Sequence, residues 1–314
     1  MLDLELQPSS HEIWSMKHRL SDFHGNYIDK DPDDNYLRVA KNLASLEDDP
    51  KHWENEFFQI MRNGCIPAGR ILSNAGAQEY KPQTTLINCV VGSDIRDSLE
   101  HILNVVHEFG TTLKTGAGIG DCFSTIRPSG SFVKGVNAHT SGPLSFADIF
   151  DKTCFTISSA GGRRGSMMLT FHVWHPDIYD VIKAKKEDGR LRQFNISILI
   201  TDDFIEAVKN DDDWELYFPI HKNDPKKNDL DTVLLYKDYP IKDDPNYTYN
   251  ELGETLCKVY KVVKARDIWN KIMRSNYDYA EPGFIMIDKI NRENNLYFCE
   301  QIIATNPLVN SMWI

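Results

Sequence analysis

The chain has 314 residues, of which 41% are hydrophobic and 26% charged, and these values are typical of a globular protein rather than a disordered or fibrous one. Because 35 Lys and Arg stand against 46 Asp and Glu, the net charge is −11, and no surface for nucleic acid or membrane is predicted. The sequence has no apolar run of about eighteen residues that could cross a membrane. Its acidic N-terminus lacks the apolar core of a secretory signal, so we expect a cytoplasmic protein.

Residues 1–64 are predicted to form a helical segment. Two series of apolar residues have helical spacing, with Asp33 and Asp34 before the first and Asn63-Gly64 after the second. The series are Leu37, Ala40, Leu43 and Leu46, then Trp53, Phe57, Ile60 and Met61. Residues 67–76 are predicted to be a loop or tight turn.

From residue 87 onward, predicted strands alternate with predicted helices, which indicates an α/β class with largely parallel pairing. Strands are predicted at 87–91, 121–126, 168–173, 195–200 and 283–288. Helices are predicted at 99–113 (capped by Asp97-Ser98), 146–157, 176–185, 202–208 and 265–279. The interval 210–252 is highly charged, and we interpret it as a solvated excursion or hairpin insertion rather than a domain boundary.

The cysteines are scattered without a CxxC pair, which favours neither a disulfide framework nor a zinc site. They are Cys65, Cys89, Cys122, Cys154, Cys257 and Cys299. A reducing compartment is expected, with most thiols as small core residues, Cys89 included. His172 and His175 would point to opposite faces of a strand, so no metal site is predicted there either.

Two glycine-rich segments have competing interpretations. Gly116–Gly120 has GxGxG spacing, but a helix precedes it where a dinucleotide-binding motif needs a strand, so a structural turn is favoured. In Gly161–Gly165, glycines would allow close backbone approach and two arginines could bind phosphate. An exposed loop whose arginines pair with surface acids is an equal alternative for the second segment.

Taken together, ordered segments over roughly residues 12–307 resemble the large chain of ribonucleotide reductases, of the adenosylcobalamin-dependent (class II) type. They are Ile66–Leu72 (IPAGRIL), Asn88-Cys89, Lys114–Asp121 (KTGAGIGD), Ser124–Pro128 (STIRP), Ser141–Phe146 (SGPLSF), Ser159–Gly165 (SAGGRRG), Trp174–Asp177 (WHPD), Ala184-Lys185, Gly189–Asn195 (GRLRQFN), Glu281–Gly283 (EPG) and Ala304–Pro307 (ATNP). The resemblance implies a helical segment (1–64), the first half of a ten-stranded α/β barrel (65–307) and a tail outside the family pattern (308–314).

The resemblance also implies a chemistry. A cysteine thiyl radical abstracts the 3′ hydrogen of a ribonucleotide, the 2′ hydroxyl leaves as water, and two further cysteines form a disulfide. Cys89 matches the first of these redox cysteines, which overturns its interpretation as a core thiol. Asn88 and Ser73 match substrate-contact positions, and Asn306 matches the asparagine that holds the ribose hydroxyls. The implied cofactor is adenosylcobalamin, and the implied reductant is a thioredoxin-like protein or a dithiol.

A second set of residues matches the family's allosteric site, where a deoxynucleoside triphosphate binds at a homodimer interface. They are Asp97, Ser98, Leu99, Lys114, Arg127, Lys134 and Gly135. A capped helix N-terminus with three cations suits a triphosphate. The loop that links effector to substrate base is matched by Gly161, Gly162, Arg163, Arg164, Gly165 and Ser166, and we expect it to act as an order–disorder switch.

The sequence departs from the family after Asn306-Pro307, where Cys-Gly-Glu is replaced by Leu308-Val309-Asn310. Leu308 has no S–H bond to form a thiyl radical, and Asn310 is not a carboxylate base. We therefore expect a chain that is inactive alone and is complemented by a C-terminal reductase chain. A split gene, a mobile-element interruption and a truncated remnant remain open. So do a metal-dependent class I large chain and a nucleotide-binding or dimerisation remnant.

Overall fold

The computed structural model describes residues 7–157, 165–186 and 190–307, and these residues divide into two compact units. The first unit combines Met1–Val90, Thr111–Gly118 and Ile157–Gly165. The second unit combines Val91–Gly110, Ile119–Thr156 and Ser166–Ile314. Helices dominate the first unit, and most of the strands belong to the second.

In chain order the helices are α1 Pro8–Lys17, α2 Pro32–Ala44, α3 Pro50–Arg62, α4 Gly69–Asn74, α5 Leu99–Thr115, α6 Pro143–Thr156, α7 Ile178–Lys183, α8 Asp202–Asn210, α9 Ala265–Tyr279 and α10 Ile287–Arg292. Asp31 and Asp49 cap α2 and α3 by accepting backbone N–H groups, and proline opens both helices. Gly64, just after α3, takes a φ of 98°, the left-handed conformation expected at a helix end. None of the described helices is long and apolar enough to span a membrane.

The core of the first unit differs from the predicted packing of α2. Its buried residues are Tyr36, Val39, Ala40, Met61, Leu72 and Ala75. Leu37 and Leu46, which were predicted to face the core, are exposed instead. The prediction of a loop at 67–76 was also wrong, because residues 69–74 form α4 and its Leu72 packs on α2 and α3. A helix carrying several apolar stripes does not by itself determine which stripe a neighbour will cover.

The strands are β1 Cys89–Val91, β2 Gly118–Cys122, β3 Phe132–Val133, β4 Ala138–His139, β5 Met167–His172, β6 Phe194–Ile200, β7 Asp213–Pro219, β8 Leu234–Lys237, β9 Thr255–Lys264 and β10 Gly283–Met286. Five of them form a sheet in the order β1-β2-β5-β6-β10. The pairs β2–β5, β5–β6 and β6–β10 are parallel. Within the described residues this sheet is open, which confirms the expected α/β class with a helical N-terminal segment and an incomplete barrel.

The second predicted strand is displaced along the chain. It was predicted at 121–126, but β2 ends at Cys122 and residues 123–125 form a 3₁₀ turn. The turn predicted in the glycine segment occurs at Gly116, where φ is 95°, while Gly118 and Gly120 lie within β2. Every residue of β2 is buried, so the absence of side chains at its glycines provides space for neighbouring backbone.

The charged interval 210–252 is more ordered than a solvated excursion. It contributes β7 and β8 to an antiparallel sheet in the order β7-β9-β8. The core under this sheet consists of Trp174, Tyr217, Phe218, Tyr239, Ile241, Tyr247 and Cys257. Charged residues between the aromatic ones occupy the solvent-facing positions and the loops. The high average charge of the interval therefore gave no indication of a sheet with one buried face.

Candidate functional site

The predicted redox cysteine lies at the start of β1, in the first unit. Cys89 is half-buried and, like the other five cysteines, forms no disulfide among the described residues. The backbone carbonyl of Asn88 accepts a hydrogen bond from the N–H of Gly118 at 2.8 Å. The side-chain oxygen Oδ1 of Asn88 is buried without a hydrogen-bond partner in the described part of the chain. Because an unsatisfied buried acceptor costs about 1–3 kcal/mol, this atom is suited to accept a hydrogen bond from a ligand.

Three other cysteines have the structural role that was expected of most thiols. Cys122, Cys154 and Cys257 are buried, and burial raises the pKa of their thiols to about 11, about 11 and about 12 respectively. A thiol held protonated in this way is a weak nucleophile and a slow partner in disulfide exchange. Exposure and position on β1 therefore distinguish Cys89 from these three.

Ser73, predicted to contact substrate, lies near the end of α4 in the first unit and is buried. Its hydroxyl donates to the backbone carbonyl of Lys17 at 3.1 Å and lies 2.9 Å from Nδ1 of His18. The hydroxyl therefore ties α4 to the residues that end α1. A substrate contact at this position stays a prediction.

Asn306 lies in a segment of the second unit, residues 302–307, that packs on one face of the parallel sheet. Asn291 of α10 anchors its start, since its side chain donates to the carbonyl of Ile302 at 2.9 Å and accepts from the Ile302 N–H at 2.7 Å. Ala304 is buried in a cluster to which all four strands β2, β5, β6 and β10 contribute. At the end of the segment, Asn195 of β6 donates to the carbonyl of Pro307 at 3.4 Å.

Gly120 of β2 determines how closely this segment approaches the sheet. A Cβ atom at Gly120 would lie 2.1 Å from the carbonyl oxygen of Thr305, 2.6 Å from Cβ of Met168 and 3.1 Å from Cα of Asn306. The glycine segment thus admits a crossing backbone rather than a phosphate. The hydroxyl of Thr305, the residue before Asn306, is buried with no hydrogen-bond partner in the described residues. Like Oδ1 of Asn88, it is an unsatisfied polar atom.

Part of the predicted effector site is brought together at the start of α5, in the second unit. The Asp97 carboxylate accepts from Nε of Arg127 at 2.8 and 3.0 Å and from the Arg127 backbone N–H at 3.1 Å. Burial raises the pKa of Asp97 to about 6, and the Arg127 guanidinium opposes that rise. Ser98 caps α5 as predicted, because its hydroxyl accepts from the N–H of His101 at 3.2 Å.

The remaining effector residues are distributed differently. Arg127 donates to the carbonyl of Phe132 at 3.3 Å, and the 3₁₀ turn Lys134–Val136, which includes Gly135, follows β3 directly. Lys114 is not brought to this place. It lies in the last turn of α5, fifteen residues after Leu99, and a rise of 1.5 Å per residue separates the two by roughly 22 Å.

Most of the predicted specificity loop lies outside the described residues, namely Gly161, Gly162, Arg163 and Arg164. Of its last two residues, Gly165 and Ser166, the second lies directly before β5. The Ser166 carbonyl accepts from the N–H of Ile119 in β2 at 3.3 Å. The end of this loop is therefore joined to the start of the parallel sheet.

Sequence reasoning missed several polar groups. Asp121 of β2 is almost wholly buried, its Oδ2 has no hydrogen-bond partner in the described residues, and burial raises its pKa well above the usual range. The position of this acid within a predicted strand could have indicated that its carboxylate is buried. The anchoring role of Asn291 had no such signal, because it depends on a segment eleven residues away.

His172 and His175 differ sharply in their surroundings. His175 is fully buried, its Nε2 lies 3.0 Å from the Ile126 carbonyl, and its Nδ1 accepts from the Asp177 N–H at 3.0 Å. Both ring nitrogens of His172 are buried without a partner among the described residues. The same residues contain no group of three or more His, Cys, Asp or Glu side chains that could hold a metal ion.

Comparison with known protein families finds two matches. Residues 5–79 match the all-alpha domain of ribonucleotide reductase, and residues 87–309 match the barrel domain of ribonucleotide reductase. The second match alone covers more than half of the chain.

Several similar proteins are named ribonucleoside-diphosphate reductases. The chain is 32% identical over 258 residues to the vitamin B12-dependent ribonucleoside-diphosphate reductase of Thermoplasma acidophilum, covering 82% of this chain and 28% of that protein. It is 28% identical over 277 residues to the enzyme of the same name from Mycobacterium tuberculosis, covering 86% and 34%. It is 27% identical over 264 residues to a ribonucleoside-diphosphate reductase subunit alpha of Chlamydia muridarum, covering 82% and 24%. The chain thus spans between about a quarter and a third of the length of these relatives.

Proposed function

Since the chain belongs to the ribonucleotide reductase large-chain family, we propose that it supplies the N-terminal part of an adenosylcobalamin-dependent enzyme that reduces ribonucleotides to deoxyribonucleotides. The observation that carries this proposal is that a half-buried thiol, Cys89 at the start of β1, directly follows Asn88, whose Oδ1 is buried and unsatisfied among the described residues. The adjacent Asn88 oxygen can accept a hydrogen bond from a ribose hydroxyl, which would hold the sugar near the thiol.

In the proposed reaction, Cys89 and a second cysteine each lose one hydrogen atom and form a disulfide. The ribonucleotide loses its 2′ hydroxyl as water and gains a hydrogen at C2′, so two thiols and one ribonucleotide give one disulfide, one deoxyribonucleotide and one water. Asn306 would hold the ribose hydroxyls, with the unsatisfied Thr305 hydroxyl beside it as a further polar contact. A thioredoxin-like protein or a dithiol would then reduce the disulfide.

The thiyl radical itself is assigned to another polypeptide. Leu308 stands where the family pattern has the radical cysteine, and a hydrocarbon side chain has no S–H bond to donate. Asn310 stands where the family pattern has the glutamate that follows the radical cysteine, so this carboxylate is assigned to the same complementing chain. A cytoplasmic location, where this disulfide would be reduced again, stays a prediction.

Dependence on adenosylcobalamin is supported by the names of two relatives and by the sequence resemblance. When bound, this cofactor would supply the radical that starts the reaction. The cavity in the second unit has a volume of about 430 Å³, that of a pocket for a drug-sized ligand, and no step is assigned to this chain through the cofactor.

The test is reconstitution. The chain is mixed with a polypeptide that begins at the Cys-Gly-Glu segment of a relative, and deoxynucleotide formation is measured with adenosylcobalamin and a dithiol. We expect activity from the mixture and none from either part alone. Cys89→Ser should abolish multiple turnover, whereas the matched control Cys299→Ser, at an exposed cysteine, should retain it. A mixture that stays inactive, or equal losses in both variants, would contradict the proposal.

The same assay separates the two classes of reductase. If the mixture is active only when a metal-dependent radical-generating subunit replaces adenosylcobalamin, the chain is a class I large chain. That alternative is compatible with the Chlamydia muridarum relative, which is named a subunit alpha.

A nucleotide-binding and dimerisation role is the second candidate, and the start of α5 favours it. There Asp97 and Arg127 order a capped helix terminus, and two leucines on the helix, Leu99 and Leu103, are 61% and 47% exposed. Ile102, Val105 and Phe109 form the buried side of the same helix. We propose that the exposed stripe is covered in a homodimer that binds a deoxynucleoside triphosphate effector.

Sedimentation velocity with and without dTTP tests this candidate. We expect the chain to dimerise, and Leu103→Glu to give monomers while the far-ultraviolet circular dichroism stays unchanged. The matched control Leu46→Glu, at an exposed leucine of the first unit, should leave the dimer intact. A wild-type chain that stays monomeric at all concentrations and shows no heat of dTTP binding would exclude this role.

A further inference from the structure

The backbone that leads to Cys89 lies outside the helices and strands. Residues 81–88 of the first unit form turns, bends and irregular loop, and β1 begins only at Cys89. Because no helix or strand fixes these residues, the position of the thiol depends on the other contacts that hold them. In the proposed reaction this position matters, since two cysteines form an unstrained disulfide only when their Cβ atoms come within about 4.5 Å.

Asn74, the last residue of α4, makes the first of these contacts. Its side-chain amide donates a hydrogen bond from Nδ2 to the carbonyl oxygen of Thr85 at 2.7 Å. Asn74 is only 3% exposed, and Leu72 of the same helix is buried in the core cluster with residues of α2 and α3. The amide therefore joins the four residues before Cys89, 85–88, to a helix that is packed in the core. We refer to residues 85–88 as the approach segment.

Thr85 is the residue at which the hydrogen bonds of the approach segment meet. Its N–H donates to the carbonyl of Thr115, the last residue of α5, at 3.3 Å, and its hydroxyl accepts from the N–H of Ile87 at 3.0 Å. Leu86 packs against the core cluster of the first unit. At the other end of the segment, the Asn88 carbonyl accepts from the N–H of the first residue of β2. The segment is thus held at both of its ends.

The place of its partner distinguishes Asn74 from an amide that only stabilises the core. Asn35 of α2 is fully buried, and it donates to the carbonyl of Leu72 at 2.8 Å and accepts from Nε1 of Trp14 at 3.3 Å. Both partners lie in helices, whose backbone is already fixed by helical hydrogen bonds. The partner of Asn74 lies in irregular backbone four residues before the thiol, so loss of this bond acts on Cys89.

We propose that Asn74 is a positioning residue for the thiol of Cys89, acting through the Thr85 carbonyl and the approach segment. The inference rests on the proposed function, in which Cys89 is a redox cysteine that follows the substrate-contact residue Asn88. The hydrogen bond restricts the segment to one arrangement before the substrate binds. Less conformational freedom is then lost when the two cysteines meet.

Alkylation of the full chain with iodoacetamide tests the proposal without any need for activity. Mass spectrometry of the digested chain gives the rate at Cys89 relative to that at the exposed Cys299, which serves as an internal reference. Asn74→Leu keeps the approximate size of the side chain, adds no charge and removes the N–H donor. The relative rate at the half-buried Cys89 should rise about tenfold, the factor expected for one lost hydrogen bond.

Asn35→Leu is the matched control, since it removes a buried amide that also binds a carbonyl in the first unit. It should lower the free energy of unfolding and leave the relative alkylation rate at Cys89 unchanged. Asn74→Asp, in which a carboxylate replaces the donor without a change of shape, keeps the test decisive if Asn74→Leu fails to fold. Rates at Cys89 that stay at the wild-type value in both Asn74 variants, or that rise equally in Asn35→Leu, would overturn the proposal.

A pair of half-buried threonines tests the path through the approach segment. Thr85→Val removes the hydroxyl that accepts from Ile87, whereas Thr84→Val removes a hydroxyl that donates to the carbonyl of Lys81 in the preceding turn at 3.0 Å. We expect the relative rate at Cys89 to rise about threefold in the first variant and to stay unchanged in the second. Equal rates in the two variants would contradict a path through Thr85.

Reconstitution with the complementing chain measures the consequence for the reaction. The mixture that contains Asn74→Leu should turn over about tenfold more slowly than the mixture that contains Asn35→Leu. Equal turnover by these two mixtures would overturn the role of Asn74 in the reaction. A wild-type mixture without activity would instead contradict the proposed function, and the alkylation rates would still decide whether Asn74 positions the thiol.

Discussion

The two sheets of the second unit differ in how their faces are covered. In the parallel sheet all six residues of β5 are buried, and so are six of the seven residues of β6. In the antiparallel sheet, β9 begins with three buried residues and continues into exposed ones, among them Tyr260 and Val262. Parallel strands covered on both faces are apolar throughout, whereas a half-covered antiparallel sheet carries charge on its free face.

This difference separates two kinds of structural position. Within the parallel sheet, the close approach of backbone and side chains places Asn306 against Gly120. The antiparallel sheet contributes instead polar and aromatic side chains to the cavity, including Glu215, Tyr217 and Asp238 in or next to its strands. The comparison predicts that substitutions in the parallel sheet act mainly on stability, and that those on the exposed face of the antiparallel sheet do not.

The largest expected effect is at Phe171 in β5. Its ring is fully buried and lies 4.6 Å, centroid to centroid, from the ring of His175. Phe171→Ala should lower the free energy of unfolding by about 4 kcal/mol, because it leaves a cavity in a closely packed core. The matched substitution Val262→Ala, at a position 55% exposed, should cost less than about 1 kcal/mol. Urea denaturation of both variants measures the two values, and similar losses would break the distinction between the sheets.

The next effect is at Gly120. Gly120→Ala should cost about 3 kcal/mol, since the new methyl group would overlap the Thr305 carbonyl and Met168. Gly135→Ala is the control, because a Cβ there would meet no atom within 4 Å. Denaturation gives the stability, and hydrogen exchange at residues 302–307 reports whether the segment has detached from the sheet. Equal stability of the two variants would mean that the crossing backbone does not depend on Gly120.

The smallest effect depends on pH and concerns His172, where the two sheets meet the cavity. Burial lowers the pKa of His172 to about 4 from the usual 6.5. A histidine with a lowered folded pKa contributes stability that is complete above pH 6.5 and is lost progressively as the pH falls from 6.5 through 4. Between pH 7 and pH 5 the wild-type chain should therefore lose about 2 kcal/mol relative to His172→Phe, which has no group to titrate at this position.

At pH 7 the same variant should be as stable as the wild-type chain or more so, because no hydrogen bond of His172 is removed. Chemical denaturation at several pH values measures the difference between the two proteins. If the difference in the free energy of unfolding stays constant across this range, the pKa of His172 is the same in the folded and the unfolded chain, and the prediction is wrong.

Local pattern was enough to predict most elements. The helix predicted at 265–279 is α9, and the strand predicted at 195–200 is β6 with one residue added. Apolar spacing and capping residues involve only residues close together in the chain, so the elements that depend on them can be predicted from the sequence. The family resemblance in turn predicts a site at Asn88 and Cys89, but it did not indicate that the oxygen of Asn88 would be buried and unsatisfied.

What the sequence left open depends on residues that are distant along the chain. The buried stripe of α2 was decided by its contacts with α3 and α4, and the strand at Gly118–Cys122 by a segment that crosses it near residue 305. Lys114 matched the effector pattern, yet the length of α5 carries it away from Asp97.

His172 and His175 show the limit most directly. The sequence determined that two histidines stand three residues apart at the end of a strand. Only the tertiary structure decided that His175 meets a carbonyl and a backbone N–H, while His172 meets aromatic rings and a cavity. The reason is physical, because hydrogen-bond partners for a buried ring come from whichever segments fold against it, and those segments lie far away in the chain.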